Sequence, residues 1–423
     1  MHFQLFAINS FTMSAKSLTF VLNIGSSSVK YALYRASAAA QPTWELLVDG
    51  LAEGIGTEDQ ARIKHVCSEA GKSTHTMPLP DHRAALVGAI GLLPDELKAG
   101  IGSVGHRVVH GGEAFSDAAL IDGAVLASIE TSAALAPLHN PWNLLGIEMS
   151  TEIFGAATPQ VAVFDTAFHQ TLPKSAYLYA LPREMYEKHA IRRYGFHGTS
   201  FKYVTEETAR VLGKPVGETN IIACHIGNGA SMAAIEGGRS VDTSMGLTPL
   251  QGLVMGTRCG DIDPAIVLHL QQALGYSTQE VSNMLNKESG FLGLCGTMDD
   301  REVEAAYLAG DDPVMALTKE VQVHRMRQYL GSYMVALKGR VDALVFTGGL
   351  GEKSHLLRTL VCEGLAGMGL EIDEGRNRSD ACGRAGVFDE NTLCSTDGSG
   401  SQVWVIPTNE ELSIAQQTHA LLL

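Results

Sequence analysis

The sequence predicts two related α/β domains that share one phosphate-bearing ligand. Three observations carry this. Residues 20–31 read as an apolar strand, a polar turn of Gly25 with Ser26, Ser27 and Ser28, and a second strand holding Lys30. Residues 221–235 repeat the plan in the second half, with His225, Ile226, Gly227, Asn228 and Gly229 leading into another apolar run. Each hairpin belongs to a half in which strand and helix signals alternate, the content of a mixed α/β fold. A chain of 423 residues has room for about two such domains.

The small residues of the first turn leave backbone N–H groups and hydroxyls open to an anion. No Gly-Lys-Ser/Thr follows at Walker spacing, so this is not a P-loop. An ordinary hairpin turn is the competing reading of that stretch alone, and the echo in mid-chain favours the phosphate.

In order along the chain, 44–55 and 61–67 read as further strands, with Gly54, Gly56 and Gly71 as turn signals. Residues 81–90 read as a helix and 95–98 as the start of a polar connection. Residues 101–109 read as a strand broken by Gly111-Gly112, 124–135 and 142–154 as helices, and 161–164 as a buried strand. In the second half 178–181 is short and extended, 200–212 helical, and 221–224 and 231–235 the echo hairpin. Helices follow at 264–273, 277–287 and 313–337, the last with Asp312 as N-cap and Pro313 in its first turn. A buried strand at 344–347 runs into the turn Gly348-Gly349-Leu350-Gly351-Glu352. Residues 389–401 read as a surface loop, 403–406 as the last strand and 409–422 as a C-terminal helix. The mixed segment 1–16 reads as a disordered extension, or as sequence upstream of the true start.

Composition narrows the function. Thirty-one basic against 46 acidic residues give a net charge of −15, which disfavours nucleic acid and anionic membranes as partners. No apolar run approaches the ~20 residues of a membrane span. Seven dispersed cysteines without a Cys-x-x-Cys pair point to a reducing, cytoplasmic setting. Cys259, beside Arg258, is a candidate reactive thiol.

Several motifs bear chemistry. Arg107 sits in a strand ending at a double glycine, and arginine grips carboxylate or phosphate with paired bonds. His106 and His110 flank it without a third ligand at metal spacing, so structural roles are expected. His139 and Asn140 stand rigidly between Pro137 and Pro141. Asp165 ends a strand at the edge where open α/β sheets bind ligands; a helix N-cap is its structural alternative. His197 lies between Gly195 and Gly198. Arg258 lies between Gly256 and Gly260, just before a helix whose start carries Asp261 and Asp263, themselves candidate caps.

Taken together, Asn23-Ile24-Gly25-Ser26-Ser27-Ser28-Val29-Lys30, the 105–112 segment, Leu138-His139-Asn140-Pro141, the 164–169, 195–200, 225–231 and 255–264 segments, and Pro407-Thr408-Asn409-Glu410-Glu411-Leu412 resemble the acetate kinase family across about 22–412. The resemblance implies the actin-like, ribonuclease H-like fold: two duplicated α/β domains with a nucleotide cleft between them. The domains would cover 17–165 plus 411–423, and 166–410 as the nucleotide-binding one. It implies reversible transfer of the ATP γ-phosphoryl to acetate, giving acetyl phosphate and ADP, with Mg²⁺ or Mn²⁺, by a homodimer.

It also implies site residues. Asn23 and Glu410 resemble the metal-site pair. Arg107 and Arg258 resemble the substrate and transition-state arginines, and Asp165, His197 and His139 the remaining catalytic groups. Val109, Leu138, Phe196 and Pro249 resemble the pocket for the acetate methyl. Lys30, His225, Ile226, Gly227, Asn228, Gly229, Asp299, Asp300, Arg301, Gly349, Leu350, Gly351, Glu352 and Lys353 resemble nucleotide-binding positions. Departures from the family pattern are Phe201 for His, Lys353 for Asn, Trp142 for Pro and Gln251 for Glu; Lys353 bears on nucleotide preference. A propionate or butyrate kinase is the near alternative. A non-catalytic actin-like ATP-binding protein is the distant one, and it would not need Arg107, His197 and Arg258 together.

Overall fold

The computed structural model describes residues 17–57, 60–137, 139–379 and 390–423; the 1–16 segment and Leu138 lie outside them. The chain forms two compact units. The first holds the described residues up to Val109, then Ala118–Val163 and Ile414–Leu423; the second holds His110–Asp117 and Phe164–Ser413.

The first unit is built on β1 (Leu18–Ile24), β2 (Ser28–Ala36), β3 (Trp44–Glu53), β4 (Arg62–Cys67), β5 (Gly71–Thr76), β6 (Ile101–Val108), β7 (Ala119–Leu120) and β8 (Gln160–Phe164), in the order β5-β4-β3-β2-β1-β6-β8-β7. β1 runs antiparallel to β2 and parallel to β6. Both faces of β1 are covered, which is why Leu18–Ile24 is apolar at nearly every position rather than alternating. Phe20, Leu22, Tyr31, Leu33, Ile63 and Val104 form the core on one face. Two details depart from the sequence reading. Gly71–Thr76 is an edge strand of polar residues rather than only a turn. Asp95–Gly100 is a short helix, with Asp95 and Glu96 in its first turn, where acidic side chains complement the helix dipole.

The second unit repeats the pairing. It is built on β9 (Ile221–Ile226), β10 (Ala230–Glu236), β11 (Arg239–Thr243), β12 (Ala343–Thr347), β13 (Thr392–Leu393) and β14 (Gln402–Val405), in the order β11-β10-β9-β12-β14-β13. β9 is antiparallel to β10 and parallel to β12, so β3-β2-β1-β6 and β11-β10-β9-β12 have the same order and the same senses. β9 and β12 are buried at every residue. The helix Pro313–Ala336 begins as its cap predicts, Asp312 accepting from the N–H groups of Val314 and Met315.

Here too the structure corrects the reading. The glycine-rich stretch after β12 is helical, Gly348–Lys353. Gly348 has φ of +77° and lies so close to β9 that a Cβ would meet the Ile226 backbone at 2.9–3.1 Å. The 389–401 stretch is not only surface loop: Thr392, Cys394 and Ser395 are buried and β13 pairs with β14, Asp389 itself lying outside the described residues. Among the described residues no helix is long and apolar enough to cross a membrane.

Candidate active site

In the first unit the predicted residues gather at the ends of β1 and β6. These strands are parallel neighbours with Leu22 opposite His106, so Asn23 and Arg107 come side by side. Arg107 Nη1 stands 3.5 Å from Asn23 Oδ1, the outer limit of a hydrogen bond. Lys30 lies opposite Asn23 across the hairpin. A residue that sequence reasoning missed ties the strand ends together. Asn143, almost fully buried, accepts from Val109 N–H at 3.1 Å and donates to the Ile24 carbonyl at 3.2 Å. Its partners are distant in sequence, so no local pattern could have marked it.

His139 is the N-cap residue of the helix Asn140–Phe154 without capping through its side chain. Trp142 braces the first hairpin turn through an intermediary. Its ring stacks on His82 at 4.6 Å, and His82 Nε2 donates to the Gly25 carbonyl at 2.8 Å. His106 is sealed in the sheet against Gln160 Oε1 at 2.7 Å. Burial pushes its pKa down to about 4, which suits a structural imidazole.

In the second unit Asp165, the residue that follows β8, is only 1% exposed. Its carbonyl accepts from Gly198 N–H at 2.9 Å, and its Oδ1 lies 3.4 Å from Thr199 Oγ1. A Cβ on Gly198 would overlap that carbonyl at 2.2 Å, so the glycine is a steric requirement. His197 adopts a left-handed conformation at φ 57°, costly for a residue with a side chain. Its Nδ1 lies 2.8 Å from Ser231 Oγ, and its ring stacks on His225 at 4.2 Å. His225 is in turn held by Ser200 at 2.9 Å, and Ser200 by Thr408 at 2.8 Å. Phe201 fills space rather than binding anything: it is fully buried, edge-on to His169.

Arg258 is fixed by donating from Nη1 to the Pro249 carbonyl at 3.0 Å. Its loop is pinned by Asp261, which accepts from Gly252 N–H, Arg325 and Tyr329. Asp261 is therefore a tether, whereas Asp263 caps Ala265 N–H as expected. Arg258 and His197 converge on the second hairpin. A methyl group built on Gly229 would lie 3.5 Å from Arg258 Nη1 and 3.6 Å from His197 Nε2. A guanidinium and an imidazole thus face one glycine turn. Phe196 is buried beside His110, ring centroids 5.7 Å apart. Cys259 donates to the Gly260 carbonyl and burial raises its pKa, so the thiol is not activated.

Next to this turn is a cavity of about 650 Å³. Of the predicted nucleotide residues it is lined by Gly227, Asn228, Asp299, Asp300, Arg301, Gly349, Leu350 and Lys353, together with Val254, Met255, Gly256, Phe291, Met298 and Gln322. His225, Ile226, Gly229, Gly351 and Glu352 are not among its lining residues. The Glu352 carboxylate holds the N–H groups of Gly348 and Thr408 at 2.9 and 3.1 Å. Asp299 caps the helix Asp300–Ala309 and is chelated by the exposed Arg301 guanidinium. Asp300 turns to the fully buried Lys319, 3.0 Å away, which also meets Glu304 at 2.8 Å. The motif before Glu410 ends in Asn409, whose Oδ1 accepts from Leu412 N–H at 2.9 Å.

The model of the acetokinase family matches residues 18–416. The chain belongs to this family. An acetate kinase of Alkaliphilus metalliredigens is 48% identical over 95% of the chain and 99% of its own length. One of Shewanella loihica is 48% identical over 96% and 100%. Among solved structures, a propionate kinase from Francisella tularensis superposes with a TM-score of 0.86 at 42% identity, covering 96% of this chain and 99% of that one. Porphyromonas gingivalis acetate kinase gives 0.85 at 40%, covering 96% and 100%. The family likeness gives the two repeated sheets their name: each is an actin-like α/β unit of the acetokinase fold.

Proposed function

We propose that the chain is an acetate kinase, transferring the γ-phosphoryl group of ATP to acetate directly and in line, with acetyl phosphate and ADP as products. The observation that carries this is the convergence of Arg258 and His197 on the Gly227–Gly229 turn beside a nucleotide-sized cavity, in a member of the acetokinase family. Acetate is already anionic at neutral pH, so no strong base is required; the obstacle is bringing an anion to a polyanion. Arg107 grips the carboxylate. Arg258 and the Nε2 side of His197 stabilise charge on the transferring phosphoryl group. Asp165 orients these groups rather than accepting a proton. Val109, Phe196 and Pro249 are the residues that the family resemblance assigns to the acetate methyl.

Magnesium is the ion this reading calls for. Among the described residues no cluster of three or more His, Cys, Asp or Glu side chains could hold a metal by itself. Asn23 and Glu410 offer the hard oxygen donors that suit an ion which keeps its waters and leans on phosphate oxygens. When bound, it would neutralise charge on the transferring phosphates. Six free cysteines among the described residues support work in a reducing cytoplasm. Ile266, Leu268, Leu274 and Tyr276, exposed in and just after the helix Ala265–Gln272, support a homodimer.

The test is ATP with acetate, propionate or butyrate, trapping the acyl phosphate as hydroxamate. Acetate should give the highest kcat/KM, and propionate a lower but measurable one, since a methylene is worth ~1–3 kcal/mol in such a pocket. The Francisella likeness favours propionate as the second reading, and a clear preference for it would replace acetate. ATP turnover indifferent to all three acids would remove the whole class.

A further inference from the structure

One amide oxygen in the cavity wall has no hydrogen-bond partner among the described residues. Gln322, on the helix Pro313–Ala336, is 4% exposed, and its Oε1 is sealed from solvent with no hydrogen-bond partner. Native interiors pair nearly all such atoms. Its neighbours on the same helix obey this: Thr318 donates to the Val314 carbonyl, and Lys319 is held by Asp300 and Glu304. The same cavity is lined by apolar Val254, Met255, Phe291 and Leu350 and by charged Asp299, Asp300, Arg301 and Lys353, and it reaches Gly227 and Asn228 of the phosphate turn. Such a space suits a flat heteroaromatic head on an anionic tail.

We propose that Gln322 reads the nucleobase and selects adenine. This rests on the cavity being the nucleotide site of the reaction proposed above. A glutamine amide carries one donor end and one acceptor end, whichever way round it is placed. Adenine presents the 6-amino donor beside the N7 acceptor and satisfies both ends. Guanine presents two acceptors, O6 and N7, on that edge, so one amide oxygen always faces another acceptor. The Gln322 amide turns onto the base when the nucleotide enters, and Oε1 gains the donor it lacks.

The experiment compares wild type, Gln322→Leu and Gln322→Met with ATP, GTP and purine riboside triphosphate, which lacks the 6-amino group. Both kcat/KM and equilibrium nucleotide binding are measured. Gln322→Leu should weaken ATP about tenfold through KM, leave GTP within about twofold, and leave kcat and the acetate KM unchanged. On the wild type, loss of the 6-amino group should cost the same factor, and on the variant nothing. An ATP-to-GTP ratio unchanged by either substitution overturns the proposal. If neither variant folds, a wild type that treats ATP and the purine analogue alike overturns it. Binding reads this ratio even if no acid is phosphorylated, so failure of the acetate kinase reading is separately visible.

Discussion

Ser231 holds His197 by its Nδ1, hydroxyl oxygen and ring nitrogen 2.8 Å apart. With the serine donating, the neutral ring carries its proton on Nε2, the nitrogen that faces Gly229. His197→Ala should lower kcat about 10²–10³-fold, the cost of losing one donor aimed at developing charge. Ser231→Ala, which only releases the ring, should cost about tenfold. Hydroxamate trapping at saturating ATP and acetate checks both, and equal losses would mean the serine does more than orient.

Arg258→Ala should reduce turnover at least about 10³-fold with the circular dichroism spectrum unchanged. Lysine should not rescue it, because a point charge cannot both donate to the Pro249 carbonyl and reach the phosphoryl group. Near-normal activity in either folded variant would remove Arg258 from the chemistry.

Asp300 gives a pH signature on stability. Burial raises its carboxyl from 3.8 to about 6, against the opposing pull of Lys319. A folded-state pKa above the unfolded one favours the folded protein at low pH, and that contribution is lost as pH rises from about 4 to about 6. The melting-temperature difference between wild type and Asp300→Asn should therefore shift against wild type across this window. A difference flat in pH would show that Asp300 titrates normally.

Three buried imidazoles act in the other direction. Burial lowers His106, His110 and His169 from 6.5 to about 4 each. The unfolded chain takes up their protons first, so the stability they preserve above pH 6.5 is lost as pH falls toward 4. Three groups give a slope of up to about 4 kcal/mol per pH unit. Urea unfolding at a series of pH values measures it, and replacing His169 by Gln should flatten the slope by about one third.

The parts of the fold legible in the sequence were those with local punctuation. Gly25 and Gly227 announced the two hairpins, and Asp312-Pro313 announced the long helix. Gly237-Gly238, with φ of 57° and 73°, is an equally local sign of the β10–β11 hairpin and could have been read. Gly348–Lys353 could not, because its glycines serve close approach to Ile226 and read locally as a turn. In the site, Arg107, Arg258 and His197 stood out by their glycine surroundings. Asn143 and Gln322 did not: one is defined by partners far away in sequence, the other by lacking one.

The order of synthesis acquires a meaning from the first unit's last segment. Residues 414–423 belong with β6, where a Cβ on Gly105 would strike Thr418 and Ile414 at 2.4 and 2.7 Å, and His419 meets Trp44 edge-on. Those residues leave the ribosome only after the entire second unit. The side of β6 at Gly105 must therefore wait for its cover while some 250 later residues are made. A translating cell meets this enzyme as an unfinished sheet long before it meets a kinase, and chaperone demand should peak in that interval.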